Sequence, residues 1–271
     1  SMIKLSFKNL LSSSIVIASS SKQLYPVSNL LLSSPSKLWK TANPYSSSHS
    51  LTMSYVSNTV SCFGLFNMVT NADALITVNI KLGSVIVKTL TLTGEDIVYG
   101  YGEGPYGIFA YGGYAAPGRS WLQKFRVIWF EDVISDNLEV IITNAKEFSL
   151  GYIHLGWTWN APTGINADYT STFTPISTDI VRNIGGVSVG TISRNYRNIQ
   201  LTLQMLTGTD VTYLIDNHDA NVPVIVSAFG GVLTTEAAYG TLLAKIPDGI
   251  TYVGAPHRRF TAANMKLEEL K

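Results

Sequence analysis

Tyr25-Pro-Val-Ser-Asn-Leu-Leu31, followed by Pro35-Ser-Lys-Leu-Trp39, is the most informative stretch of this chain. We expect a short extended segment that ends in a leucine pair, a break at Pro35, and a new strand that opens on Trp39. A second unusual segment, from Tyr99 to Tyr114, is a loop of glycine and aromatic residues. Neither segment supplies a catalytic group, and both place apolar surface on loops, where binding usually occurs. The sequence therefore favours a binding or assembly protein over an enzyme.

Composition indicates a β-rich protein with a nearly neutral surface. Hydrophobic residues make up 46% of the chain and charged residues only 14%, whereas about 25% charged is usual for globular proteins. A net charge of +1 provides no basic face for nucleic acid. No stretch approaches the roughly 20 consecutive apolar residues of a membrane span. We therefore expect no nucleic-acid partner and no insertion into a membrane.

Charge is unevenly distributed along the chain. Residues 1–72 hold five lysines and no carboxylate, whereas residues 73–271 hold 14 basic and 18 acidic side chains. Two interpretations stay open: a polar, serine-rich start with dispersed lysines, or a surface that contacts an acidic partner.

Alternation of apolar and polar residues predicts strands without intervening helices, and hence a β-sandwich. Glu131, Asp132 and Asp136 then fall in a hairpin loop between two strands. Cys62 and Trp39 are expected in the core, as is Trp121. The predicted strands are Ser50–Val56, Leu75–Ile80, Lys124–Phe130 and Leu138–Thr143.

The chain divides into three parts in this interpretation. Residues 1–17 form an N-terminal segment, residues 18–158 a β-sandwich, and residues 159–271 a second, mostly β domain. The proline and glycine turn Ala161-Pro-Thr-Gly164 marks the change. In the second domain we expect a hairpin around Gly185-Gly186 and a short helix over Thr209–Asp216, capped by Thr209 or Asp210.

Catalytic and metal-binding patterns are missing from the sequence. The histidines (His49, His154, His218 and His257) are far apart and lack metal-ligand spacing. There is no nucleophile elbow, phosphate loop or dinucleotide fingerprint. Asp216-Asn-His-Asp219 is best interpreted as a solvated turn, since calcium loops space their ligands at alternate positions. We therefore expect no enzymatic activity, no cofactor and no bound metal.

Exposed aromatic residues are the candidate contact residues. Tyrosine and tryptophan are enriched at interfaces because they combine an apolar ring with a polar group. The alternative for the glycine-rich loop is that its aromatics fold back over one end of the sandwich. Trp157 and Trp159 alternate, so only one of them faces inward and the other is free to contact a neighbour. The candidates are Tyr101, Tyr106, Phe109, Tyr111, Tyr114 and Trp159.

Several of these motifs resemble a known family. The segment from Tyr25 to Thr41, then Cys62-Phe-Gly-Leu-Phe-Asn67 and Asp73-Ala-Leu-Ile-Thr-Val78, resembles discoidin-type, galactose-binding-like jelly rolls. With the glycine-aromatic loop, Leu155-Gly-Trp-Thr-Trp159 and Arg194-Asn-Tyr-Arg197, the chain looks like tail structural proteins of tailed bacteriophages that carry such a domain. The acidic residue that calcium-binding relatives place before the tryptophan strand is missing from Leu32-Ser-Ser-Pro-Ser-Lys37.

The resemblance implies a non-enzymatic structural component of the virion tail, made in the host cytoplasm. Its partners would then be other phage tail proteins, with a homo-oligomer in the particle as one arrangement. The alternative is a module that binds a host surface glycan through the aromatic loop.

Overall fold

The structure is a computed structural model that describes residues 3–42, 48–71, 73–93, 125–145, 148–161, 167–182, 188–227, 241–254 and 261–270, with only the backbone for residues 93, 167–197, 205 and 261. In chain order the strands are β1 (Lys4–Ser6), β2 (Ile15–Ala18), β3 (Trp39–Lys40), β4 (Ser48–Phe66), β5 (Leu75–Leu82), β6 (Val85–Thr93), β7 (Phe125–Thr143), β8 (Ser149–Leu150), β9 (Tyr152–Gly156), β10 (Trp159–Asn160), β11 (Ala167–Arg182), β12 (Ser188–Leu206), β13 (Val224–Ser227), β14 (Thr241–Lys245), β15 (Ile250–Gly254) and β16 (Thr261–Glu269). The helical elements of the same residues are the α-helix α1 (Gly208–Asn217) and two 3-10 helices, Leu10–Ser13 and Val27–Leu31. The predicted class, mainly β with a short helix, is confirmed.

The chain forms two compact units. One, here called the sandwich unit, is Asn9–Trp157, and the other, the split unit, combines Ser1–Lys8 with Thr158–Lys271. The predicted N-terminal segment 1–17 therefore divides between them. Its first strand, β1, pairs with β10 and β13 of the split unit, whereas β2 pairs with β4 of the sandwich unit. The physical reason is burial, because the side chains of Ile3, Leu5 and Phe7 belong to the core of the split unit.

The two ends of the sandwich unit are held together by Asn9. Its side-chain amide donates hydrogen bonds to the carbonyl oxygen of Ile153 (2.8 Å) and to the hydroxyl of Tyr152 (3.1 Å). Its side-chain oxygen accepts from the backbone N–H of Leu155 at 3.1 Å. The sandwich unit is thus an insertion whose entry and exit lie side by side.

The sandwich unit is an antiparallel β-sandwich of the predicted jelly-roll type. Its large sheet has the order β2-β4-β7-β5-β6, with β9 added along β4, and β3 pairs with β8 in a second sheet. Trp39 and Phe148 pack edge to face, with ring centroids 5.8 Å apart, in the same buried cluster as Leu51 and Ile76 of the large sheet. The core positions predicted for Trp39 and Cys62 are confirmed, since neither has any exposed surface. Trp121 lies outside the described residues.

The segment that precedes Trp39 was predicted to be extended. It forms instead a 3-10 helix over Val27–Leu31. The backbone N–H of Asn29 donates to the carbonyl of Pro26 at 3.1 Å, and the Asn29 side chain donates to the carbonyl of Leu38 at 2.8 Å. The turn allows Leu30 to be fully buried. Alternation alone could not distinguish this compact turn from a strand.

A second correction concerns β7, which runs without interruption through the predicted hairpin loop. Glu131, Asp132 and Asp136 lie within this strand, which pairs with β4 along most of its length. The pairing tolerates the acidic residues because the register shifts twice, between Ser54 and Asn58 on β4 and between Val60 and Cys62. Each shift is a bulge, in which several residues of one strand lie opposite fewer of the other.

The split unit is built on one antiparallel sheet of order β10-β1-β13-β14-β16-β12-β11, with β15 paired to β16. Helix α1 follows β12 and is capped by Thr207, not by Thr209 or Asp210 as predicted. The Thr207 hydroxyl accepts from the backbone N–H of Asp210, and the Asp210 carboxylate accepts from the backbone N–H of Thr207 in a capping box.

Beyond this sheet, β11 and β12 continue as a two-stranded arm. Pairing between β12 and β16 starts at Asn198, whereas β11 pairs with β12 from Ala167 to Arg182. Within the described residues, Phe173–Arg182 and Ser188–Arg197 therefore have only each other as strand partners. This pairing confirms the predicted hairpin, and its turn at Gly185-Gly186 lies outside the described residues.

Candidate functional site

Five of the six predicted contact residues lie outside the part of the chain that the structure describes. These are Tyr101, Tyr106, Phe109, Tyr111 and Tyr114, and their role as contacts stays a prediction. The sixth, Trp159, is in β10, and only 4% of its surface is exposed to solvent. Its ring stacks on Tyr213 of α1 with centroids 6.5 Å apart. Trp159 is therefore a core residue of the split unit and not the exposed contact that was expected.

Of Trp157 and Trp159, Trp157 is the residue whose side chain faces solvent. Of the described tryptophans, Trp39 and Trp159 are buried, Trp129 is half-buried and Trp157 is 37% exposed. The indole N–H of Trp157 donates a hydrogen bond to Oδ2 of Asp132 at 3.2 Å. This bond gives the exposed ring a defined orientation, because it restrains rotation about the side-chain torsions.

Asp132 reaches Trp157 because of the second bulge. Between the pairs Val60–Val133 and Cys62–Trp129, one residue of β4, Ser61, lies opposite three residues of β7. Extra residues in one strand bend it and redirect its side chains, and such bulges are frequent next to functional sites. Here Glu131 and Asp132 are both exposed, although regular alternation would turn one of them inward.

The first bulge, on β4, includes the half-buried Tyr55. The hydroxyls of Tyr55 and Ser135 share a hydrogen bond of 2.7 Å. Burial raises the pKa of the Tyr55 phenol to about 12, against the hydrogen bond from Ser135, which lowers it. The phenol is therefore neutral at physiological pH, and Val56 on the same bulge is 86% exposed.

Next to these bulges, the outer face of the large sheet carries a chain of polar contacts. Thr89 donates to the Asn79 side-chain oxygen at 3.1 Å, the Asn79 amide donates to Glu139 at 3.1 Å, and the Lys81 ammonium lies 2.8 Å from the same carboxylate. The hydrogen bond from Lys81, followed by that from Asn79, lowers the pKa of Glu139. These contacts restrain the four side chains, so this part of the outer face of the large sheet is polar and ordered.

We define the candidate site as Trp157 together with Asp132 and Glu131 on the bulge of β7 that lies opposite Ser61 of β4. These groups can bind a ligand: the indole ring provides a flat apolar surface, and the two carboxylates accept hydrogen bonds. Among the described residues no group of three or more His, Cys, Asp or Glu side chains could hold a metal ion. No helix among the described residues is long and apolar enough to cross a membrane.

A second acidic stretch, Asp216-Asn-His-Asp219, spans the end of α1: Asp216 and Asn217 are the last two residues of the helix, and His218 and Asp219 follow it. Asp219 accepts the backbone N–H of Asn221 at 2.8 Å, which is the geometry of an Asx turn. His218 Nε2 lies 3.3 Å from the carbonyl oxygen of Ile246. The predicted solvated turn is therefore only partly right, because its first two residues belong to the helix and Asn217 and His218 are half-buried.

Comparison with protein-family models gives no match, and comparison with curated proteins gives none either. Solved structures do match the chain. A chitosan-binding module from a chitosanase/glucanase of Paenibacillus sp. IK-5 is 13% identical with a TM-score of 0.38, covering 55% of this chain and 97% of its own. A family 32 carbohydrate-binding module from Clostridium perfringens, in complex with galactose, is 12% identical with a TM-score of 0.38, covering 57% of this chain and 99% of its own.

A GH29 fucosidase from Ruminococcus gnavus, in complex with fucose, is 10% identical with a TM-score of 0.39. The match covers 57% of this chain but only 28% of the fucosidase. The structural neighbours thus include carbohydrate-binding modules and parts of glycoside hydrolases, and none of these three is a virion protein. At such low identities and TM-scores, they carry no argument about what this chain binds, and no site residue is transferred from them.

Proposed function

We propose that the sandwich unit is a non-catalytic glycan-binding module and that Trp157 is its contact residue. The observation that carries this proposal is the exposed indole ring, 37% accessible and held by a 3.2 Å hydrogen bond to Asp132. The faces of a pyranose ring carry C–H groups that pack on an aromatic plate, and its edges carry hydroxyls that donate to carboxylates. Trp157, Asp132 and Glu131 supply both kinds of contact in one place.

The charge of the site favours neutral sugars. Glu131 and Asp132 are both exposed at the bulge, and carboxylates repel the carboxylate or sulfate groups of acidic glycans. Neutral hexoses and N-acetylhexosamines present hydroxyl donors without this repulsion. We therefore propose neutral glycans as the ligand class.

Binding of the purified chain to an array of neutral, sialylated and uronate-containing oligosaccharides tests the proposal. We expect binding to neutral glycans and a loss of about 30-fold in affinity in Trp157→Ala, as for a contact worth roughly 2 kcal/mol. Asp132→Asn keeps the size of the side chain, removes the charge, and should bind more weakly than the wild type. Leu24→Ala is the control, because Leu24 is 84% exposed in the same unit.

Two results would overturn the proposal: no binding to any neutral glycan, or wild-type affinity in Trp157→Ala. Hydrolysis of a bound oligosaccharide, abolished in Glu131→Gln, would show instead that the unit is catalytic.

A second candidate function is favoured by the two-stranded arm of the split unit. It is the structural component of a phage virion tail that the sequence resembles, with assembly contacts as its role. A hairpin without a third strand is marginally stable in water, so an arm of this kind is expected to gain contacts in an assembly. Immunogold labelling of phage particles with antibody against the purified chain tests this role, and particles without label on the tail would exclude it.

A further inference from the structure

An exposed isoleucine lies beside the candidate site. Ile134 comes two residues after Asp132 on β7 and is 57% exposed. Val133, the residue between them, packs against the buried cluster of the sandwich unit, so Asp132 and Ile134 face away from that core. Two residues of a strand span roughly 7 Å at the usual rise. Ile134 therefore borders the carboxylate that holds the ring of Trp157.

Strand pairing fixes the position of Ile134 relative to the ring. Ile134 pairs with Thr59 of β4, where the ladder is regular again after the bulge. On the other edge of β4, strand β9 ends at Gly156, which pairs with Cys62. Trp157 is the next residue, and its indole N–H reaches from there to the carboxylate on β7. The ring, the carboxylate and the isoleucine therefore lie side by side on the outer face of the large sheet.

These three groups match the acetamido substituent of an N-acetylhexosamine. The amide N–H of this substituent donates a hydrogen bond, and its methyl group packs on aliphatic surface. Asp132 can serve two donors at once, because an ionised carboxylate has two oxygens and accepts about four hydrogen bonds. Its Oδ2 accepts from Trp157, and its Oδ1 can accept from the amide of a sugar that stacks on the indole ring. Ile134 then provides the apolar contact for the methyl group.

Other substituents at the same carbon of the sugar use only part of this surface. A hydroxyl group can donate to Asp132 but leaves the side chain of Ile134 in water. A free amine is attracted to Asp132 and Glu131 by its charge, and it also lacks the methyl group. Burial of one methyl-sized group changes affinity by about 4-fold. The acetamido group is therefore the substituent that engages both the carboxylate and the isoleucine.

We propose that the site selects N-acetylhexosamines among neutral sugars and that Ile134 determines this specificity through the acetamido methyl group. The inference rests on the proposed function, since it takes Trp157 as the residue on which the sugar ring stacks. It adds a residue that is not needed for binding a sugar ring as such. Loss of Ile134 should therefore change which sugar is preferred and leave the binding of simple hexoses unaltered.

Methyl glycosides that differ only at C2 test the selection. Titration calorimetry of the purified chain compares the N-acetylamino, hydroxyl and free amino forms in both the gluco and the galacto series. We expect the N-acetylamino form of at least one series to bind about 10-fold more tightly than the hydroxyl form. In Ile134→Thr this ratio should fall by about 4-fold, while the affinity for the hydroxyl form stays at the wild-type value.

The same substitution elsewhere in the sheet provides the control. Threonine keeps the branch at Cβ that suits a strand, so the pairing of β7 with β4 is preserved in Ile134→Thr. Ile17→Thr is the matched variant, because Ile17 is 67% exposed on β2 and pairs with Thr52, towards the other end of β4 from the site. Its ratio of affinities should equal that of the wild type. Thermal unfolding checks that both variants are folded.

Equal affinity of the wild type for the N-acetylamino and hydroxyl forms in both series would overturn this inference and leave the glycan proposal intact. A folded Ile134→Thr that keeps the wild-type ratio would do the same. Tighter binding of the free amino form than of the N-acetylamino form would also overturn it, since charge and not the methyl group would then decide. If none of these sugars binds, the inference fails together with the proposed function.

Discussion

At the scale of single residues, His154 shows how burial decides a charge state. It lies in β9 without solvent exposure, and burial lowers the pKa of its imidazole from 6.5 to about 3. The folded chain therefore keeps this side chain neutral at pH values where the unfolded chain binds a proton. Unfolding then takes up a proton, so the free energy of unfolding falls as the pH drops below 6.5 and continues to fall towards the folded pKa.

We expect the free energy of unfolding of the sandwich unit to fall by about 1 kcal/mol between pH 7 and 5.5 through this residue. Chemical denaturation at several pH values measures the slope. In His154→Gln the slope over this interval should flatten, whatever the variant does to overall stability. His218→Gln, at a half-buried histidine of the split unit, is the control. An unchanged slope in His154→Gln would show that other groups cause the pH dependence.

At the scale of elements, one edge of the large sheet illustrates how the fold limits association. Within the part of the chain that the structure describes, β6 is the last strand of this sheet, and it exposes Val85, Ile86 and Val87. Lys88 pairs with buried Ile80, which places the lysine on the core side of this edge, next to a register shift. Inward-pointing charges and bulges are known protections against edge-to-edge pairing.

Replacing this lysine should therefore promote association. We expect Lys88→Val to form dimers or larger species at concentrations where the wild type and Thr91→Val have the same apparent mass. Thr91 is the matched control, since it lies on the opposite, exposed face of β6. Light scattering measures the difference. Equal masses for Lys88→Val and Thr91→Val would show that the charge does not protect this edge.

Elements of the fold could be predicted from the sequence where the pattern was local. Alternation located parts of β4, β5 and β7, but it could not place Trp157 and Trp159 on opposite faces, because residues two apart on one strand share a face. The two tryptophans differ because β9 ends at Gly156 and Trp159 begins β10, where it pairs with Leu5, far away in sequence. It also divided β7 at Glu131 to Asp136, because a bulge looks like a loop when its partner strand is unknown. The candidate site depends on these two features, so sequence reasoning missed it.

At the scale of the whole molecule, the split unit depends on its first strand. Strand β1 lies between β10 and β13 within the sheet, and Leu5 on this strand has no exposed surface. Leu5→Ala should destabilise the split unit by about 3 kcal/mol, as buried leucines commonly do. Hydrogen exchange read by mass spectrometry separates the units, and we expect faster exchange in strands of the split unit, such as β13, β14 and β16, and unchanged exchange in the sandwich unit. Equally fast exchange in β4 and β7 would show that the two units unfold together.

The insertion of the sandwich unit also sets an order in time. Strand β1 leaves the ribosome before any of its partners, and β10 follows only after residues 9–157 have been made. At 5–20 residues per second, that interval is roughly 8–30 s. The sandwich unit can fold during this delay. Its hydrogen bonds at Asn9 then bring the chain segments before and after it together, so that β1 can pair with β10. Residues 1–8 therefore remain without their strand partners until the rest of the split unit has been made, and during that time their apolar side chains are available to chaperones.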